Sequence, residues 1–158
     1  MAHEYTATVV WKRGENEAFS DNKYSRGHQW SFDGGITVSG SSSPSVVPLP
    51  LSREDAVDPE EAFVAAISSC HMLTFLGIAA KKRFVVDSYE DIAVGHMTPN
   101  DNGKLFVSKV TLDPVIEFSG EKRPTPEQIV DMHHLAHKEC FIANSVLTEI
   151  VVKGIPSH

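Results

Sequence analysis

Residues 58–83 read DPEEAFVAAISSCHMLTFLGIAAKKR, and the rest of the fold is built around this segment. Its apolar residues recur at steps of three and four, which predicts a long helix with Cys70 at its middle. Asp58 suits the N-cap, Pro59 the first helical position, and Glu61 the position that completes a capping box. Because the helix is apolar on several sides, we expect protein to cover it on several sides.

Length and charge limit the classes of protein to consider. The 158 residues predict a single domain over residues 1–158, and the net charge of −7 argues against nucleic acid or an anionic membrane as a partner. No apolar run is expected to reach the roughly 20 residues of a membrane span, and the N-terminus lacks the layout of a signal peptide. We therefore expect a cytoplasmic protein, in which two cysteines are core residues or reactive thiols rather than a disulfide framework.

Strand and helix patterns surround the central segment on both sides. Strands are predicted at residues 4–12, 23–32 and 36–38, a hairpin at 84–97 and 105–118, a second helix at 126–141 with Thr125 as N-cap, and a last strand at 146–153. The order β-β-β-α-β-β-α-β favours an α+β fold with antiparallel sheets around two central helices.

The second predicted helix carries the other cysteine, Cys140. It shares a stripe with Ile129, His133, Ala136 and His137, so both helices present one cysteine on an inward face. Buried cysteines are often small hydrophobic core residues. Alternatively, His133, His137 and Cys140 follow H-x-x-x-H-x-x-C spacing and could present three ligands to a metal ion.

Two motifs resemble the OsmC/Ohr family, the osmotically inducible protein C-like and organic hydroperoxide resistance proteins. The first is the helix start Asp58-Pro59-Glu60-Glu61, with Cys70 ten residues after Glu60. The second is Ala136-His137-Lys138-Glu139-Cys140, and the order of elements agrees over nearly the whole chain. The resemblance implies an OsmC-like, intertwined homodimer. It also implies that Cys70 is the peroxidatic thiol, that Cys140 is the resolving thiol, and that an arginine paired with Glu60 assists them.

The identity of that arginine is open between two candidates. A thiol attacks peroxide as the thiolate, and burial raises a thiol pKa, so a cation must stabilise the charge. Arg26 is preferred because it lies on the predicted second strand, where Tyr24, His28 and Trp30 share its face. Arg53 is the competitor because it lies seven residues before Glu60.

Helix geometry constrains the partners of Cys70. Ten helical residues span about 15 Å, so Glu60 cannot readily approach Cys70 of its own helix. A second copy of the helix would bring its Glu60 close, which predicts a homodimer with shared sites. His71 points about 100° away from Cys70, and we expect it to find a polar partner elsewhere rather than act as the base of the thiol.

The resemblance implies a peroxidase of the oxidative stress response that reduces organic hydroperoxides without metal or other cofactor. Cys70 would become a sulfenic acid and condense with Cys140 to a disulfide, which a dithiol reductant (a small thiol or a lipoyl-type protein) would restore. Two alternatives are a metal-binding protein that uses His133, His137 and Cys140, and a non-catalytic binding or structural dimer of the same fold. Apolar neighbours of Cys70 predict a preference for bulky peroxides.

Overall fold

The computed structural model of the protein describes residues 2–157. The chain divides into two compact units, one up to Ala62 and one from Phe63 onward. This division does not decide whether residues 1–158 behave as one domain, and the single domain stays a prediction. Each unit is therefore described by itself.

The first unit contains a three-stranded antiparallel sheet. Its strands are β1 (Ala7–Val10), β2 (His28–Phe32) and β3 (Thr37–Gly40), and β2 lies at the centre. The turn between β2 and β3 ends at Gly35, whose φ of +82° suits a residue without a Cβ.

The prediction that the second strand begins near residue 23 is wrong. β2 begins at His28, because the N–H of Arg26 donates to the carbonyl of Leu51 at 2.7 Å instead of to a neighbouring strand. Arg26 therefore does not share a strand face with His28 and Trp30.

Helix α1 (Pro59–Lys81) begins as the capping residues predict. The carboxylate of Asp58 accepts a hydrogen bond from the N–H of Glu61 at 2.8 Å, and the carboxylate of Glu61 accepts one from the N–H of Asp58 at 3.2 Å. This reciprocal pair confirms the capping box. The helix ends where Arg83 adopts a left-handed φ of +62°, and the N–H of Phe84 then donates to the carbonyl of Ala79.

The two sides of α1 differ in exposure. Ile67, His71, Phe75 and Ala79 form a buried stripe at four-residue spacing, whereas Leu73 on the other side is 62% exposed. By length and composition alone α1 could cross a membrane, so the expectation that no apolar run is long enough is wrong. Only 22% of its most apolar window is buried within the chain, which leaves an apolar face to be covered.

The predicted hairpin is present, but each of its arms is broken into two strands. These are β4 (Val85–Asp91) and β5 (Val94–Pro99) in the first arm, and β6 (Leu105–Leu112) and β7 (Pro114–Ser119) in the second. β4 pairs with β7 and β5 with β6, both antiparallel, so the pairing continues past the break. At the break, the carboxylate of Asp91 accepts hydrogen bonds from the N–H of Asp113 and from the hydroxyl of Ser68 on α1.

The last strand departs from the predicted antiparallel arrangement. β8 (Glu149–Val152) pairs with β6 in parallel. A parallel pair needs a crossover, which is supplied by β7, helix α2 (Pro126–Glu139) and a short 3-10 helix (Ala143–Ser145). The observed order is thus β-β-β-α-β-β-β-β-α-β, within the predicted α+β class.

The second helix begins at its predicted N-cap. The Thr125 hydroxyl accepts from the N–H of Gln128, and the Gln128 side chain accepts from the N–H of Thr125. The helix ends at Glu139, so Cys140 is its C-cap residue and not part of a helix to 141.

Two clusters of buried residues form the core of the second unit, and the buried stripe of α1 contributes to both. Phe75 and Ala79 pack with Phe84, Met132 and Ala136, which joins α1 to α2. Ile67 packs with Val110 and Leu112 of β6. The middle of α1 is therefore held between α2 and the sheet.

Candidate active site

The thiols of Cys70 and Cys140 are neighbours, close enough for the Cys70 thiol to raise the pKa of Cys140. Cys70 lies in the middle of α1 and is half-buried, whereas Cys140 caps α2 and is 1% exposed. Both are free thiols. The fold thus places side by side the two cysteines that lie 70 residues apart in the sequence.

The surroundings of Cys140 keep its proton in place. Burial and the neighbouring Cys70 thiol raise the pKa of Cys140, against a smaller opposing effect of the N–H groups of Ala143 and Ile142. The N–H of Ala143 lies 3.4 Å from the sulfur. A thiol with a raised pKa is a hydrogen-bond donor at neutral pH, so Cys140 is suited to donate to the sulfur of Cys70.

A second polar contact joins the same two helices. Nε2 of His71 lies 3.0 Å from Nδ1 of His133, with ring planes 7° apart. Burial, followed by the neighbouring His133, lowers the pKa of His71 to about 4, and burial lowers the pKa of His133 to about 4. Both rings are therefore neutral at pH 7, and one donates to the other. This confirms the expectation that His71 has a polar partner away from the thiol.

The predicted inward stripe of α2 is wrong at His137. His133 is 3% exposed and turns toward His71, whereas His137 lies on the exposed side of the helix. Within residues 2–157, no group of three His, Cys, Asp or Glu side chains is placed to hold a metal ion. The alternative of a metal site at His133, His137 and Cys140 therefore has no geometric support.

The predicted arginine and glutamate belong to the first unit. The Arg26 guanidinium lies 3.6 Å from the centre of the Tyr24 ring and donates to the side-chain oxygen of Asn22 at 2.8 Å. Arg53 is bound by both carboxylate oxygens of Asp55, at 3.0 and 2.9 Å. Glu60 is half-buried in the first turn of α1. The roles of Arg26 and Glu60 stay predictions.

A groove of about 220 Å³ is lined in part by His133. Its apolar walls come from β7, α2 and the C-terminal segment, and they are formed by Pro114, Ile116, Phe118, Ile129, Val152 and Ile155. Neither cysteine lines this groove, so it is separate from the thiol pair.

The histidine pair is the feature that the sequence analysis did not anticipate. His71 lies four residues from Ile67 and from Phe75, which places it on the stripe that is buried. Because α1 is apolar around most of its circumference, its sequence does not indicate which stripe faces α2. The partner on α2 could not be chosen from spacing alone.

Comparison with known proteins identifies the family. The family model for OsmC-like protein matches residues 52–153, which include α1, both cysteines and α2. No curated protein sequence matches the chain.

Solved structures agree with this match. An OsmC-like protein of unknown function from Vibrio cholerae O1 is 59% identical, with a TM-score of 0.94 over 96% of this chain and 99% of its own. An organic hydroperoxide resistance protein from Elizabethkingia anophelis is 17% identical, with a TM-score of 0.66 over 96% of this chain and 98% of its own. One from Legionella pneumophila is 13% identical, with a TM-score of 0.61 over the same shares. From the family match and the 59% identical structure, the chain belongs to the OsmC-like family.

Proposed function

We propose that the protein is a thiol-dependent peroxidase that reduces organic hydroperoxides. The neighbouring positions of the Cys70 and Cys140 thiols, one on α1 and one at the end of α2, are the observation that carries this proposal. Family membership supports it, as does the shared fold with organic hydroperoxide resistance proteins. We also propose a cytoplasmic location, where reducing conditions would return both cysteines to the thiol state.

The proposed reaction begins at Cys70. Its thiolate attacks the terminal oxygen of the hydroperoxide, the O–O bond breaks, and the alkoxide leaves as an alcohol after taking a proton. The resulting Cys70 sulfenic acid then condenses with the Cys140 thiol, which forms the disulfide and releases water. A dithiol reductant, either a small thiol or a lipoyl-type protein, exchanges with the disulfide and restores both thiols.

Arg26 is the cation proposed to stabilise the Cys70 thiolate. Among the described residues it forms no ion pair with a carboxylate, whereas the charge of Arg53 is matched by Asp55. Arg26 therefore keeps its charge available for an anion. We propose that Glu60 orients this arginine. This Glu60 would come from a second copy of the chain, because ten helical residues separate Glu60 from Cys70 within one copy.

A homodimer is proposed because α1 leaves an apolar face uncovered. Ala66, Leu73 and Gly77 lie on this face at steps of seven and four, beside Cys70. Small residues allow two helices to approach closely, and Leu73 supplies apolar area for the contact. A second copy on this face would complete an apolar pocket around Cys70.

The test combines turnover with intact mass. Wild-type protein with dithiothreitol should consume tert-butyl hydroperoxide, and Cys70→Ser should not. One equivalent of peroxide without reductant should remove both free thiols and lower the mass by about 2 Da, the two hydrogens lost on disulfide formation. If both thiols remain titratable after peroxide treatment, the protein is a non-catalytic member of the fold.

A further inference from the structure

The thiol pair and the histidine pair join α1 to α2 at neighbouring positions. His71 directly follows Cys70 on α1, and His133 precedes Cys140 by seven residues, about two turns of helix. The two contacts therefore depend on one and the same placement of α1 against α2.

The histidine contact lies in apolar surroundings. His71 is 1% exposed and His133 is 3% exposed, and the Phe75 ring lies 4.6 Å from the ring of His133. The other titratable groups that act on the pair are His134 and His137 of α2 and Asp91 of β4. Asp91 instead accepts hydrogen bonds from Ser68 and from the N–H of Asp113.

The unpaired ring nitrogen indicates the direction of the bond. Nδ1 of His71 is buried and has no hydrogen-bond partner among residues 2–157. An unpaired acceptor is better tolerated in a protein interior than an unpaired N–H. His71 therefore carries its proton on Nε2 and donates to Nδ1 of His133.

A hydrogen bond between two buried side chains restricts the relative rotation of their helices more than an apolar contact does. Apolar side chains at these positions would tolerate a small rotation of α1, whereas a hydrogen bond is lost outside a narrow range of distance and angle. A shift of one residue along α1 turns its side chains by about 100°, which would remove both pairs at once.

We infer that His71 and His133 are positioning residues whose hydrogen bond fixes the rotation of α1 on α2 and so holds Cys70 against Cys140. The inference rests on the proposed function, because it assigns the pair a role in forming the Cys70–Cys140 disulfide. Neither histidine touches the peroxide.

The test compares two amide variants of His133 that differ only in reach. In His133→Asn the side-chain oxygen replaces Nδ1 and can still accept from His71, whereas in His133→Gln the amide extends to the position of Nε2 and leaves His71 without its partner. The readout is the equilibrium of the Cys70–Cys140 disulfide with a glutathione redox buffer. This equilibrium reports how well the two sulfurs are placed, independently of peroxide.

His133→Gln should weaken disulfide formation at least tenfold, about 30 mV in reduction potential for this two-electron couple. His133→Asn should stay within about threefold of wild type, and His137→Leu, on the exposed side of the same helix, should leave the equilibrium unchanged. Circular dichroism confirms that each variant is folded. If His133→Gln is unfolded, His71→Gln serves as a second test, since its amide nitrogen still reaches His133 and should preserve the wild-type equilibrium.

Two outcomes would contradict the inference, and only the second would also contradict the proposed function. If wild type forms the disulfide and folded His133→Gln forms it equally well, or if His71→Gln weakens it tenfold, the positioning role is wrong while the peroxidase proposal stands. If wild type forms no disulfide in any glutathione buffer, the proposed function itself is wrong, and the inference is overturned with it.

Discussion

The two cysteines differ chemically because their surroundings differ. Cys140 is almost fully buried, and its pKa is raised by burial and by the Cys70 thiol, whereas Cys70 is half-buried on α1. A thiol that keeps its proton is a poor nucleophile but can donate a hydrogen bond. This asymmetry supports the proposed order, in which Cys70 attacks first and Cys140 resolves.

A hydrogen bond donated by the Cys140 thiol to the Cys70 sulfur should assist the first step, and two substitutions test for it. Cys140→Ser keeps a donor, so Cys70 should react with peroxide in single-turnover stopped flow at a rate close to wild type. Cys140→Ala removes the donor and should slow this step about fivefold, the equivalent of about 1 kcal/mol for one hydrogen bond to a developing charge. Equal rates for the two variants would show that the Cys140 proton does not act in the first step.

Arg26 and Arg53 should differ in their effect on the Cys70 thiol. Arg26→Ala should slow the reaction of Cys70 with peroxide by about tenfold to a hundredfold, because a charge-assisted contact contributes about 1.5–3 kcal/mol. Arg53→Ala should change little, since Asp55 already binds that guanidinium in an exposed ion pair. Single-turnover stopped flow with peroxide measures this rate in both variants, and a larger effect for Arg53→Ala would reverse the assignment.

The sequence predicted the role of a side chain only where that role depends on residues nearby in the chain. The motif around Cys70 and that around Cys140 indicated a thiol pair through the family resemblance, and the fold brings the Cys70 thiol near enough to Cys140 to raise its pKa. His137 was placed on the wrong side because the buried side of α2 runs through Met132, His133 and Ala136, and a residue one position beyond Ala136 turns about 100° out of it. Which side of α1 faces α2 depends on packing that no local pattern encodes.

At the scale of secondary structure, helix ends were predictable and strand ends were not. The capping residues Asp58 and Thr125 act as expected, because a cap is a contact between residues three apart. The breaks in the hairpin depend on Asp91, which binds the N–H of Asp113 across the sheet and the hydroxyl of Ser68 on α1. Such a contact joins residues more than 20 positions apart, so sequence periodicity does not reveal it.

The α2 cap should contribute measurably to stability. Thr125→Ala removes the acceptor for the N–H of Gln128 and should lower the free energy of unfolding by about 1 kcal/mol. Thr125→Ser retains the hydroxyl and serves as the matched control, with a loss of only a few tenths of a kcal/mol. Urea denaturation at one protein concentration measures both, and equal losses would mean that the hydroxyl does not act as a cap.

At the scale of the whole molecule, the buried histidines link stability to pH. Both rings have a pKa of about 4 in the folded chain, against an ordinary histidine value of 6.5. Between these pH values the unfolded chain binds more protons, so the stability that is complete above pH 6.5 is lost as the pH falls toward 4.

The expected loss is on the order of 3 kcal/mol for one imidazole, because its pKa is about 4 in the folded chain instead of 6.5. Urea denaturation at pH 7 and at pH 4.5 should show a steep loss in wild type. The double variant His71→Gln/His133→Asn keeps the donor and acceptor without the titration and should lose clearly less. Because carboxylates titrate equally in both proteins, the same slope in wild type and variant would mean that these histidines are not the cause.

The exposed face of α1 connects assembly with substrate preference. Leu73 is 62% exposed and lies three residues beyond Cys70. If a second copy covers this face, Leu73→Glu buries a charge and should convert the dimer to a monomer. Leu105→Glu is the matched control, because Leu105 on β6 is 68% exposed and lies outside α1. Light scattering after size exclusion measures the oligomeric state.

The same variants test the apolar pocket that the second copy would complete. An aryl or butyl group that buries about 80 Å² gains on the order of 2 kcal/mol at 25 cal/mol per Å². Wild type should therefore favour cumene hydroperoxide over hydrogen peroxide by about 30-fold in kcat/KM. In Leu73→Glu the ratio should fall toward one together with the loss of the dimer, because half of the pocket is then missing. If Leu73→Glu remains a dimer and keeps the wild-type ratio of kcat/KM for the two peroxides, the second copy does not cover this face. If wild type has equal kcat/KM for the two peroxides, no apolar pocket surrounds Cys70.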